Sequence, residues 1–158
     1  MLVEFDEISD NARLWTYAAD KKLTINQESY ILNYISNFLK GWKSHSSPLK
    51  SATTILENHF VVIALDESYE SASGCSIDKI YNLIQILEKD LSISLLNRLN
   101  IFCNIDNNIV CLPISELPDY VSLDTLFYDL TISNKSDLST FLKPVKEGWC
   151  NRLIKTID

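Results

Sequence analysis

The run Phe60-Val-Val-Ile-Ala-Leu65 is apolar at every position. Successive side chains of a strand point to opposite faces, so this strand would present apolar groups on both. Such a strand belongs in the middle of a sheet that is covered on both sides. The rest of the chain must therefore supply two covering layers, and helical stripes supply the first. Thr24-Ile-Asn-Gln27 is a capping box, followed by Tyr30, Ile31, Tyr34, Ile35, Phe38, Leu39 and Trp42 at steps of three and four. Gly41 stands at its expected stop, and Pro48 forbids continuation. A second stripe runs through Ile77, Ile80, Tyr81, Ile84, Leu87 and Leu91, with Ser76 as its expected N-cap and Asp78 in the first turn, where an acid suits the helix dipole. The C-terminal segment is the expected cover for the second face.

Strands are expected on both sides of these helices. Asn11 to Ala18 alternates, with Arg13, Trp15 and Tyr17 on one face. Ser51 to Glu57 pairs with Phe60 to Asp66 across a short break at Asn58 and His59. Leu99 to Ile105 and Ile109 to Ile114 flank the turn residues Asp106-Asn107-Asn108. A loop of those three residues would set Cys103 opposite Cys111, with Cβ atoms ~4.5–5.5 Å apart. Thr125 to Ser133 reads as a strand, and Pro144 as the first residue of a terminal helix through Trp149 and Leu153. The order β-α-β-β-α-β, with extra C-terminal strands and a terminal helix, implies an α+β fold of ferredoxin-like sandwich character. The 158 residues read as one α+β domain, 1–158, large enough to need no metal or disulfide for stability.

Charge limits the partners. Fourteen basic against 21 acidic residues leave a net charge of -7, with no basic stripe, so nucleic acid and acidic membrane surfaces are disfavoured. No apolar run approaches the ~20 residues of a membrane span, so no membrane insertion is expected. The start, Met1 to Asp10, is acidic and unlike a secretory signal. Cys75, Cys103, Cys111 and Cys150 show no C-x-x-C spacing, which fits reduced thiols in the cytoplasm. Walker A, G-x-G-x-x-G, H-E-x-x-H and G-x-S-x-G motifs are all absent, and three glycines (Gly41, Gly74, Gly148) cannot build a glycine-rich phosphate loop. Each glycine is expected where the backbone needs freedom. No cofactor and no metal site are expected, since His45 and His59 offer too few imidazoles for zinc.

One segment concentrates chemistry: Asp66-Glu-Ser-Tyr-Glu-Ser-Ala-Ser-Gly-Cys-Ser-Ile-Asp78, between the buried strand and the second helix. Cys75 near a helix N-terminus is a candidate nucleophile, with His45 (or His59) as base and Asp66 (or Glu67) as orienter. Alternatively, Glu67, Ser68, Ser73, Gly74, Ser76 and Asp78 form a ligand site. Serines and free N–H groups favour an anion, whereas Asp66, Glu67, Glu70 and Asp78 favour a cation such as Mg²⁺. In the plainest reading the segment is a capped turn and Cys75 a packed thiol. The leading expectation is a non-catalytic intracellular binding or scaffolding protein, with its pocket near the Asp66 to Asp78 loop and a protein or small-molecule partner. The alternative is a small thiol-dependent enzyme. Trp15, Trp42 and Trp149 are expected in the core, where an aromatic cluster can also line a pocket.

Several stretches together carry a resemblance: Phe5-Asp-Glu-Ile-Ser9 with Arg13-Leu-Trp15, His45-Ser-Ser-Pro-Leu49, Asp66-Glu-Ser68, Ala72-Ser-Gly-Cys-Ser-Ile-Asp78, Arg98-Leu-Asn100 and the Trp149 region. The chain resembles a family of small Bacteroidetes proteins commonly labelled "ABC transporter ATPase". The resemblance implies no catalytic residues. An ABC ATPase requires a Walker A loop to hold the phosphates, and none is present. Asp66-Glu67 and Ser71-Ala-Ser-Gly-Cys75 match Walker B and signature loops only superficially.

Overall fold

The computed structural model describes residues 1–154. It is an α+β protein whose chain gathers into two compact units, Met1–Leu96 with Ser133–Ser136, and Asn97–Ile132 with the described residues from Asp137 onward.

The first unit contains β1 (Arg13–Ala18), α1 (Ile25–Lys40), the small strands β2 (Lys43–Ser44) and β3 (Ser47–Pro48), β4 (Lys50–Leu56), β5 (Phe60–Asp66) and α2 (Gly74–Leu91). Its main sheet has the order β1-β5-β4 and is antiparallel throughout. Every residue of β5 is buried, as its two-sided apolar character requires. Val61, Ile63 and Leu65 pack with Ile31, Ile35 and Leu39 of α1 and Ile80, Ile84 and Leu87 of α2. Each such side chain contributes roughly 1.5–3 kcal/mol by leaving water. Phe60, Val62 and Ala64, on the alternate face, are equally buried.

The helix α1 begins at the expected capping box, with the Thr24 hydroxyl accepting from the Gln27 N–H at 3.1 Å and the Gln27 side chain accepting from the Thr24 N–H at 3.0 Å. The start of α2 differs from expectation. Ser73, not Ser76, is the N-cap, and its hydroxyl accepts from the Ser76 N–H at 3.1 Å. Ser76 answers as the third helical residue, its hydroxyl accepting from the Ser73 N–H at 2.7 Å. This earlier start puts Asp78 beyond the first turn.

The second unit contains β6 (Asn100–Ile105), β7 (Asn108–Pro113), a short helix α3 (Leu117–Tyr120), β8 (Leu126–Tyr128) and β9 (Leu142–Pro144). These strands form an antiparallel sheet in the order β7-β6-β8-β9. Its core holds Ile101, Cys103, Leu112, Leu117, Phe127, Val145 and Cys150. A ferredoxin-like sandwich would place the strand after α2 in the first sheet. Here β6 pairs instead with its sequence neighbour β7, through a two-residue turn that closes cheaply, and with β8.

That turn also corrects the expected cysteine pairing. Asp106 and Asn107 take φ of 53° and 64°, the left-handed values of a type I′ hairpin, and Asn108 already belongs to β7. The register shifts by one, so Cys103 faces Val110 and Cys111 faces Phe102. A one-residue shift turns a side chain to the other face of the sheet: Cys103 is buried and Cys111 only partly so.

The C-terminal elements are shorter than expected. Only Leu126–Tyr128 of the predicted 125–133 strand is extended in a ladder. Pro144 ends β9 rather than opening a helix, and two 3-10 turns follow, Val145–Glu147 and Trp149–Leu153. Gly148 interrupts them in an extended conformation (φ -110°, ψ 173°). A Cβ there would lie 2.1 Å from the Phe127 ring, so the break allows a close approach that a side chain would prevent. Among the described residues no glycine takes a positive φ, and His45, Ser46, Glu57, Asn58, Ser92, Asp106 and Asn107 carry those conformations instead. No helix among the described residues is long and apolar enough to cross a membrane.

Candidate functional site

The segment 66–78 satisfies its own polar groups. Asp66 is buried at the end of β5, where its Oδ1 accepts from the Ser68 hydroxyl at 2.6 Å and the Ser68 N–H at 3.0 Å. The Ser68 hydroxyl is the main cause of a carboxyl pKa below the ordinary value. Burial opposes it, and the Ser68 N–H and the Lys50 charge assist. Glu67 accepts from the Ala72 N–H at 3.1 Å and lies 3.7 Å from Arg13. The Ser73 and Ser76 hydroxyls serve the helix cap, and Ser76 is buried. Gly74 has no neighbouring atom within 4 Å of an added Cβ, and Asp78 is exposed.

Cys75 is exposed, as the second residue of α2. His45 sits exposed at the tip of the β2–β3 hairpin with φ 50°. Among the described hydrogen bonds none joins His45 to Cys75, and Asp66 Oδ1 accepts from Ser68 while its Oδ2 lies 4.0 Å from the Lys50 ammonium. His59 is buried, its Nδ1 2.9 Å from the Glu57 carbonyl oxygen. Trp42 is buried and donates to the Ser76 carbonyl at 3.1 Å, and Trp15 meets it edge-on. Among the described residues no group of three His, Cys, Asp or Glu side chains is placed to hold a metal ion.

A more concave site lies in the second unit, and sequence reasoning did not find it. β6 and β8 pair at Cys103↔Phe127 and Asn104↔Leu126. Past that pairing Asn100–Phe102 and Leu130–Thr131 form the walls of a cavity of about 290 Å³. Phe127 and Tyr128 contribute aromatic surface, Arg98 reaches it from before β6, and Trp149 contributes from the last 3-10 turn.

A turn after β8 shapes the wall. Asp129 is buried, and its Oδ1 accepts from both the N–H (2.9 Å) and the hydroxyl of Thr131. Its other oxygen accepts from the Lys143 ammonium at 2.8 Å. Burial is the largest single influence on this carboxyl and raises its pKa. The Lys143 and Thr131 hydrogen bonds together outweigh it, so the pKa lies below the ordinary value. The turn fixes Leu130 and Thr131 at the cavity, while Gly148 lets Phe127 close against the backbone beside Trp149. Trp149 remains 38% exposed, so its indole is available to a ligand. The one sequence signal was the grouping of Arg98-Leu-Asn100 and the Trp149 region among the family-like stretches.

A second concavity, of about 500 Å³, lies in the first unit between α1 and α2, lined by Tyr34, Phe38, Lys79, Leu83 and Ile86 among others. It is wider and more open than the cavity beside Trp149.

Comparison with family models, curated proteins and solved structures finds no match for this chain.

Proposed function

We propose that this protein is a non-catalytic binding module that seats a small aromatic ligand in the cavity between Asn100–Phe102 and Leu130–Thr131. The observation that carries this reading is the cavity itself, about 290 Å³, lined by Phe102, Phe127, Tyr128 and a half-exposed Trp149. Ligand sites are concave and mostly apolar, with a few polar groups that fix orientation, and Arg98, Asn100 and Thr131 supply those. Aromatic walls favour a flat ligand, because rings stack or meet edge-on at their best contact distances. The 66–78 segment is the weaker candidate, since its acids and hydroxyls already hold one another. The net charge of -7 argues for a small-molecule partner over nucleic acid. The cysteine pattern, with no C-x-x-C pair, supports a cytoplasmic location. Nucleotide hydrolysis has no place in this reading, because no phosphate-cradling loop is present.

The test uses N-phenyl-1-naphthylamine, a neutral dye that brightens in apolar sites. It is expected to bind saturably at one site per chain. Leu130→Trp, which fills the cavity from a wall residue, is expected to abolish binding while leaving the circular dichroism and melting temperature near those of the parent. Unsaturable binding, or equal binding by a folded Leu130→Trp variant, would overturn the proposal.

A further inference from the structure

We infer that the ligand of this cavity is anionic, an aromatic carboxylate or similar acid, bound through Arg98 and Asn100. The inference rests on the binding-module reading above and adds the chemical class of the ligand. Among the described lining residues Arg98 is the charged one, and none of them is Asp or Glu. In a chain with 21 acidic and 14 basic residues, a cavity wall of that sign runs against the overall balance.

The nearest acid on the wall segment, Asp129, is turned to Lys143 and Thr131, and the Lys143 ammonium at 2.8 Å answers its charge. It therefore does little to repel an anion. Asn100 is half-buried at the start of β6 and lines the cavity beside Arg98. Its N–H donors suit a ligand oxygen. A guanidinium has five donors in a planar fork, so Arg98 can serve a neighbouring group and a carboxylate together. Such charge-assisted bonds beside an apolar wall are stronger than neutral ones. The aromatic walls would then hold the ring and the Arg98–Asn100 edge the acid.

The experiment displaces N-phenyl-1-naphthylamine with a matched pair, 2-naphthoate and 2-naphthamide, which share a ring and differ in charge. On the parent protein 2-naphthoate is expected to displace the dye at a concentration about tenfold lower than 2-naphthamide, which corresponds to ~1.4 kcal/mol. In Arg98→Gln the preference is expected to fall to near unity. In Arg98→Lys, which keeps the charge and loses the fork, an intermediate preference is expected. The dye must still bind both variants, which establishes that they are folded with the cavity intact. Equal displacement by the two compounds on the parent, with the dye bound, would overturn the anionic ligand and leave the aromatic cavity standing. So would a preference unchanged in Arg98→Gln. Failure of the dye to bind the parent at all would overturn both.

Discussion

At the scale of single residues, the four cysteines separate by environment. Cys75 is exposed on the first turn of α2, whereas Cys103 and Cys150 are buried in the second unit's core. Burial, with a smaller contribution from Cys150, pushes the Cys103 thiol up to about 11, and burial raises Cys150 as well. The thiolate is the reactive species, so a raised pKa and burial act together against alkylation. Iodoacetamide at pH 8, read by peptide mapping, is expected to label Cys75 on the folded protein and spare Cys103 and Cys150 until denaturant is added. Labelling of Cys103 at the rate of Cys75 would contradict this placement. Cys75 was legible in the sequence as a residue near a helix start. Its lack of a hydrogen-bonded histidine was not, because His45 lies thirty residues earlier in a hairpin whose position no local pattern fixes.

Elements with a strong local signal formed where the sequence placed them. The Thr24–Gln27 box starts α1, and the two-sided apolar run became the buried β5. Errors arose where one residue decides the geometry. The N-terminal box of α2 uses a Ser-Ser pair, while the familiar pattern has Glu or Gln at the third helical position, so sequence pattern alone places the cap three residues late. The Asp106–Asn107 turn uses two left-handed residues without a glycine, so neither its length nor the face of each cysteine is legible from the sequence. The turn after β8 carries a testable consequence. Asp129→Ala removes the acceptor for Thr131 and leaves Lys143, mostly buried, without its partner. A loss of about 2–3 kcal/mol is expected in urea unfolding, since an orphaned buried group costs its desolvation. The folded-state pKa of Asp129 is depressed, so its stabilising contribution is present in full above the unfolded value of about 3.9 and is lost as pH falls through the folded value. The stability gap between Asp129→Ala and the parent is therefore expected to narrow below about pH 4. A gap that stays constant into strong acid would contradict the ion pair.

For the whole molecule, composition and patterning were enough to establish an α+β protein and to argue against several common chemistries. Which strands share a sheet was not legible, because a β-α-β-β-α-β order is compatible with β6 entering the first sheet or starting a second. The cavity was hidden for the same reason. Its walls come from residues near 100, 130 and 149, joined only once the second sheet has formed. We propose that this cavity is where the protein meets its ligand. The most direct measurement is a set of ¹H–¹⁵N correlation spectra recorded during titration with 2-naphthoate. Shifts concentrated at Asn100–Phe102, Leu130–Thr131 and the Trp149 indole N–H are the expected result. Shifts concentrated in the 66–78 segment or between α1 and α2, or no saturable shift at all, would contradict it.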